Sequence, residues 1–358
     1  MQNAIHSPTK NVNIQWMRAM AALSVATYHI SYYILDRYDY PSFFEVFDGK
    51  FGLMGVAIFF AISGTLMADL IHRSTPTVFL AHRLVRIYPL FIMVFLTVAL
   101  LRTGELSADV RAMSLTLVGT RVKPELNIEW TLVLEVFFYV ALFLLAAFKG
   151  GRYIVPLALC WLILIVAATI IEPVQMGSTL SPTLLQALFL PGNAAFAGGL
   201  LIPAILRRWR VEPSLAVVAF GLGAVTMSVD LAWGRIVGSV AAVILVAMVY
   251  GVSSPRQRRG SIGWAFERLG DYSYALYLIH VPVTLLVLNY VDASPLTLWV
   301  MCIGSVLVAS IPIGMMDVML YRRLRAHVDM ANPQRLFAAV WLYVAAYLLI
   351  GFLFIFKQ

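Results

Sequence analysis

Apolar segments of about 20 residues follow one another along the chain, and short polar connections separate them. An α-helix of roughly that length crosses a hydrocarbon layer about 30 Å thick. We predict membrane spans at 14–35, 51–71, 80–101, 129–148, 152–172, 183–206, 213–230, 234–252, 271–290, 295–316 and 335–356. The pattern therefore predicts an all-α polytopic integral membrane protein with about eleven transmembrane helices. These helices would form a single membrane domain over residues 1–358.

The composition supports a membrane location and argues against a soluble domain. Hydrophobic residues make up 61% of the chain and charged residues 12%, and the mean hydropathy is +0.86. A soluble domain cannot bury so large an apolar share. The first apolar segment contains Arg18 and His29 and lacks a small-residue cleavage site after it, so we predict a retained span and not a signal peptide. Cys160 and Cys302 lie in separate spans without the spacing of metal ligands, and no metal site is predicted.

Basic residues concentrate in alternate connections, which accounts for the net charge of +8. The basic connections contain Arg73, Arg83 and Arg86; Lys149 and Arg152; and residues 207–210, 256–259 and 321–325. The connections between them are acidic or neutral. This alternation follows the positive-inside rule and predicts a cytoplasmic N-terminus. The predicted partners of these charges are membrane lipids, and no nucleic-acid partner is expected.

The connection at 102–128 is unusually long and surrounds the apolar stretch AMSLTLVG with charged residues. We interpret it as an outer-face segment that lies along the surface or is partly re-entrant, where an acceptor could be handled. A plain solvated loop is the alternative.

Two ionisable residues interrupt the first span, where such groups are costly. Arg18 and His29 are eleven residues apart, which places them on one helix face and roughly 16 Å apart along the axis. Arg18 then lies near the cytoplasmic end and His29 in the outer half. Separately, the arginine could be a snorkelling anchor and the histidine a packing residue. Their shared face favours a joint role.

Other spans place polar groups at matching heights. Glu135 is predicted about 9 Å below the outer surface, at a depth comparable to that of His29. His280 is predicted near the middle of its span, on one stripe with Ser273 and Tyr277.

Arg83 and Arg86 lie three residues apart where a span enters from the cytoplasm. Two adjacent guanidinium groups repel each other unless an anion joins them, and phosphate suits their forked donors. A membrane anchor is the alternative. Further out, His29 and Glu135 are a base and a carboxylate suited to proton transfer on a hydroxyl. A histidine oriented by a carboxylate can deprotonate an alcohol that attacks a thioester.

Five motifs make the chain similar to the membrane-bound acyltransferase-3 family over about residues 10–330. The motifs are R-x10-H (Arg18 and His29), GLMGVAIFFAISG (52–64), RLVRIYP (83–89), EWTLVLEVFFY (129–139) and LGDYSYALYLIH (269–280). The chain most resembles exopolysaccharide O-acetyltransferases of the succinoglycan type. The resemblance implies a ten-helix core over 10–330, and residues 331–358 would add one C-terminal helix.

The resemblance also implies a function in the bacterial cytoplasmic (inner) membrane. Relatives transfer an acyl group, usually acetyl from acetyl-CoA, to a sugar hydroxyl of an exported or envelope polysaccharide. The positions that match the family's functional residues are Arg18, Arg83 and Arg86 for donor binding, and His29 and Glu135 for catalysis. Acyl-CoA and a glycan or lipid-linked glycan are thus the expected partners. Acetyl-CoA serves as co-substrate, and no bound cofactor is expected.

Further residues are candidates for supporting roles, namely His280, Tyr277, Asn193 and Asp317. Asn193 follows Pro191 and Gly192, where a broken helix could line a cavity. Asp317 stands in MMDVMLYRRLR, where many relatives have Glu-Pro, and this departure puts its role in doubt. Ser63 is interpreted as a packing hydroxyl.

A transporter of a lipid-linked sugar or small acid is the alternative function. The buried Arg, His and Glu residues would then form a relay. Transporters commonly contain inverted repeats with paired broken helices, and the sequence shows no convincing pair.

Overall fold

The computed structural model describes residues 11–104, 110–117, 126–176, 181–209, 211–212, 214–252 and 260–355, and these contain helices and no β-strand. The helices are α1 Val12–Tyr38, α2 Ser42–Val46, α3 Gly49–Leu70, α4 Pro76–Thr103, α5 Val110–Met113, α6 Glu129–Ala147, α7 Ile154–Ile171, α8 Leu184–Phe189, α9 Ala194–Leu206, α10 Leu215–Ser228, α11 Leu231–Gly251, α12 Ser261–Asp271, α13 Ser273–Tyr290, α14 Pro295–Met330 and α15 Pro333–Ile355. Several begin at a capping side chain, such as Asp48 for α3, Thr75 for α4 and Asp230 for α11.

The predicted fold class is confirmed. Among the described residues, eight helices are long and apolar enough to cross a membrane, namely α3, α4, α6, α7, α11, α13, α14 and α15. The shorter helices α9 and α10 are also apolar. The 27 residues of α1 are sufficient in length, but its polar residues lower its hydropathy. Each predicted span falls on one or two of these helices. Below, inner and outer refer to the two sides predicted from the charge pattern.

Helix boundaries depart from the predictions on the inner side. Residues 261–271 form the amphipathic helix α12, which lies against α1, and Trp16 Nε1 donates to the Gly263 carbonyl at 3.2 Å. α14 continues to Met330, well past the predicted end at 316, because its charged last turns need not stay in hydrocarbon. The basic run at 256–259 lies outside the described residues.

The backbones of α3 and α9 touch at paired glycines. A Cβ added at Gly64 would lie 2.3 Å from the Phe196 carbonyl oxygen, and one added at Gly199 would lie 2.4 Å from the Ala61 carbonyl oxygen. Helices in lipid associate by such close packing of small residues. The small residues of 52–64 therefore place α3 at the centre of the bundle.

The predicted helix break at Pro191 is present. α8 ends at Phe189, residues 191–193 form a 3-10 turn, and α9 follows. Asn193 is buried, and its Nδ2 donates to the carbonyls of Gln186 and Ala187 at 3.1 and 2.8 Å. Its amide thus satisfies two carbonyls at the end of α8.

The described part of the 102–128 connection reaches the membrane interior, which favours the re-entrant interpretation. The Tyr88 hydroxyl donates to the Ser114 carbonyl at 2.6 Å. Tyr88 lies about 22 Å from the outer end of α4 by helical rise. Leu115 and Leu117 are buried. Residues 105–109 and 118–125 lie outside the described ranges.

Candidate active site

A cavity of about 850 Å³ lies between α1, α3, α4, α6 and α13. Along α3 it extends from Val56 to Met67, roughly 16 Å of helix axis. It brings together five of the predicted site residues, namely Arg18, Arg83, Arg86, Glu135 and Tyr277.

One of the three cavity arginines has an ionic partner among the described residues. Arg86 Nη1 donates to Asp317 Oδ2 at 2.6 Å, and the Asp317 side chain is 4% exposed. The Arg86 guanidinium also lies over the rings of Tyr274 and Tyr321, 5.0 and 5.4 Å from their centroids. Asp317, whose role the sequence left open, therefore compensates Arg86.

The other two guanidinium groups form no direct ion pair with described residues, although Glu135 lines the same cavity. Arg18 and Arg83 make no ion pair or side-chain hydrogen bond with described residues, and Arg83 Nε is buried without a hydrogen-bond partner. Cations without a direct partner inside a bilayer are costly and often mark ligand sites. The inner part of the cavity is thus suited to an anion such as a phosphate.

A hydroxyl cluster surrounds Glu135. The Ser63 hydroxyl donates to Glu135 Oε1 at 3.0 Å, and Tyr139 donates to the same oxygen. The Ser63 and Tyr139 hydroxyl oxygens are also 3.1 Å apart, so a proton can be shared between them when either one does not donate to Glu135. Sequence reasoning missed this role for Ser63 and did not single out Tyr139. The spacing of Glu135 and Tyr139 at i, i+4 was the available signal.

His29 pairs with His280 of α13. His280 Nδ1–H donates to the Tyr277 carbonyl at 2.7 Å, which leaves its Nε2 as an acceptor. His29 Nδ1 lies 3.1 Å from that Nε2 and 3.0 Å from the Val25 carbonyl, so Nδ1–H is shared between these two acceptors. His29 Nε2 is then the unprotonated nitrogen, and no described residue bonds it. The pair presents a positioned base.

Glu135 does not contact His29 in the described structure, and the two are not at equal depth. Thr131 of α6 is 2.6 Å from the Tyr277 hydroxyl, which sets the register of α6 on α13. Counting from this contact, Glu135 lies about 10 Å further inward than His280. The predicted depth was wrong because α6 does not begin at the surface. In the register set by the contact between Thr131 and Tyr277, α6 begins about 16 Å inward of the outer end of α13.

Tyr277 lies where the cavity meets the histidine pair. Its side chain lines the cavity, its ring packs edge-to-face on Phe59, and its centroid is 5.7 Å from that of His280. A ligand group at the outer end of the cavity would therefore be next to Tyr277, with His280 and His29 beyond it.

Comparison with known proteins gives one result. The sequence model of a protein family, described as an acyltransferase domain, matches residues 11–315. No curated protein and no solved structure matches the chain.

Proposed function

The chain belongs to the acyltransferase-3 family, which implies membrane acyltransferase activity, and on that premise we propose that it is an O-acetyltransferase. The donor is acetyl-CoA from the cytoplasm. The acceptor is a sugar hydroxyl of an exported or cell-envelope polysaccharide, and the location is the bacterial inner membrane. One observation carries this proposal: a cavity that contains two arginines without a direct ion pair is lined by Tyr277, whose ring centroid lies 5.7 Å from that of His280 in the histidine pair.

The donor site is the inner part of the cavity. Arg18 and Arg83 bind phosphate oxygens of CoA. Arg86 is paired with Asp317 and forms part of the cavity wall. The pantetheine arm extends outward along α3, and the thioester lies at the outer end beside Tyr277. The cavity's length of roughly 16 Å suits an extended arm with its charge at one end.

Transfer uses His29 as the general base. Nε2 takes the proton from the acceptor hydroxyl while the hydroxyl oxygen attacks the thioester carbonyl carbon. The C–S bond then breaks, acetyl remains on the sugar oxygen as an ester, and the CoA sulfur takes the proton from His29. His280 is a positioning residue, because its Nε2 holds the proton-bearing Nδ1 of His29.

Family membership favours this enzyme over the transporter alternative. Acetyl, and not a longer acyl group, is supported by the resemblance to exopolysaccharide O-acetyltransferases. The test is release of free CoA thiol from acetyl-CoA by purified protein, measured with and without the exported glycan of the producing cell. Acceptor-dependent release supports the enzyme. Glycan movement across vesicles without thiol release supports the transporter.

Replacing Arg83 by Ala is expected to weaken CoA binding by about 10- to 100-fold, since the change removes a charge-assisted contact. Arg83→Lys should recover little of this loss, because a single ammonium cannot form the forked contact. The measurement is the CoA dissociation constant of purified variants. Arg335→Ala removes an exposed basic residue at the inner end of α15 and serves as the matched control. Unchanged CoA affinity in folded Arg83→Ala would contradict this role and support the alternative that Arg83 is a membrane anchor.

A further inference from the structure

A second cavity lies at the outer side of the bundle, and its empty volume of about 460 Å³ includes open solvent at its mouth. It is lined by α3, α10, α11, the first turn of α6 and the 3-10 turn at 191–193, and it is open to solvent. Its lining includes Lys50, Trp130, Gly192 and Arg235, and no acidic residue is among the described residues that line it. The proposed acetyl transfer does not use this cationic cavity.

Arg235 is the strongest sign of a ligand here. It lies in the span Leu231–Gly251, about 6 Å inward of the outer end of α11. Its guanidinium makes no ion pair or hydrogen bond with described residues, and Nε is buried without a partner. An unpaired guanidinium within a span is costly unless an anion joins it.

Lys50 adds a second oriented cation. Its Nζ donates to the Met227 and Val229 carbonyls at 2.9 and 2.6 Å. An ammonium has three donors, so one N–H remains for a ligand. These carbonyl bonds hold the charge in place without neutralising it.

The cavity also has surfaces that suit a sugar ring. Trp130 provides a flat apolar face for the C–H side of a pyranose. On α11, Gly234 and Gly238 line the same pocket, and a Cβ added at either would lie within 3.1–3.4 Å of Thr226, so these glycines let α10 pack closely against α11 beside Arg235. A Cβ added at Gly192 would meet no atom within 4 Å, so this turn faces open space.

The outer cavity borders the inner one. Val56 and Phe60 of α3 line both cavities. On α6, Trp130 lines the outer cavity, while Thr131 and Leu132 line the inner one. The two cavities are therefore neighbours on either side of the buried Phe60 side chain.

We propose that the outer cavity is a subsite for an anionic unit of the acceptor, whose charged oxygens bind Arg235 and Lys50. This inference rests on the proposed function, because it names the class of acceptor. The anionic group has two sources, a carboxylate on the glycan or the phosphate that joins a glycan to its lipid carrier. Both present the same oxygens to the two cations.

The test measures binding of three probes to purified full-length protein by calorimetry: methyl β-D-glucuronide, glucose 1-phosphate and neutral methyl β-D-glucoside. We expect at least one anionic probe to bind about 10- to 100-fold more tightly than the glucoside. Tighter glucuronide binding assigns the charge to the glycan, and tighter glucose 1-phosphate binding assigns it to the carrier linkage. Equal binding of all three probes, or binding of none, overturns the proposal.

Three variants locate the site. Arg235→Gln should abolish the preference for the anion. Arg37→Gln, which removes an exposed cation at the outer end of α1, should keep it. Gly192→Leu should weaken the binding of all three probes, because the added side chain would occupy the open space beside the 3-10 turn. An anion preference that survives Arg235→Gln, or probe binding unchanged by Gly192→Leu, contradicts the assignment.

Failure of the subsite proposal can be distinguished from failure of the proposed function. Acceptor-dependent thiol release with no anion preference would refute the subsite and leave the acetyltransferase standing. An Arg235-dependent anion preference without thiol release would refute the acetyltransferase and leave an anion site.

Discussion

Replacing His29 by Gln is expected to lower acetyl transfer by about 10²–10⁴-fold, the range lost when a positioned acid–base group is removed. Glutamine can still form hydrogen bonds, but it cannot take the proton of the acceptor hydroxyl. CoA binding should remain close to that of the wild type, because Arg18 and Arg83 lie in the inner cavity and are unchanged. The loss should therefore appear in kcat.

The measurement is acetyl transfer beside the CoA dissociation constant, on protein shown to be folded. His327→Gln is the matched control, because His327 lies exposed near the inner end of α14. An active His29→Gln enzyme would show that the imidazole only packs.

Two variants of His280 test its positioning role in the same assay. His280→Gln can still accept the His29 Nδ1–H bond through its amide oxygen, whereas His280→Leu cannot. We expect the Gln variant to keep more activity than the Leu variant, with similar CoA affinity in both. Equal loss in both would contradict the positioning role.

The second large effect concerns the ion pair between Arg86 and Asp317. Asp317→Leu alone should lower the free energy of unfolding by about 3–5 kcal/mol, because it leaves Arg86 as an uncompensated buried charge. Arg86→Met alone should have a similar effect. The double variant should recover most of the stability, since no unpaired charge remains.

A double-mutant cycle in mixed detergent micelles measures this coupling. Asp329→Asn is the control, because Asp329 pairs with His82 and Arg325 at an exposed inner position, where the expected effect is about 0–1 kcal/mol. Additive losses in the double variant would show that the two residues do not stabilise each other.

Sequence periodicity predicted the elements of this fold because each span contains its own signal. Length and hydropathy located the helices, and Pro191 followed by Gly192 located the break before α9. α12 was missed because it is amphipathic and shorter than a span. The predicted re-entrant character of 102–128 is favoured by the bond from Tyr88 to Ser114.

Contacts between helices were harder to predict, because they depend on the register of one helix against another. Counting residues placed Glu135 at the depth of His29, on the assumption that α6 begins at the outer surface. The bond between Thr131 and Tyr277 shows that α6 begins deeper. For the same reason, the sequence did not predict that His29 would contact His280. The catalytic and donor-binding roles of these residues stay predictions.

The central claim is that the donor enters from the inner side and that the acetyl group reaches a glycan through His29. Inverted and right-side-out membrane vesicles from the producing cell test it directly, with acetyl-CoA labelled in the acetyl group added to the medium. The account predicts alkali-labile label on lumenal glycan in inverted vesicles, and none in right-side-out vesicles or in inverted vesicles carrying His29→Gln. Equal labelling in both orientations, or full labelling with His29→Gln, would contradict it.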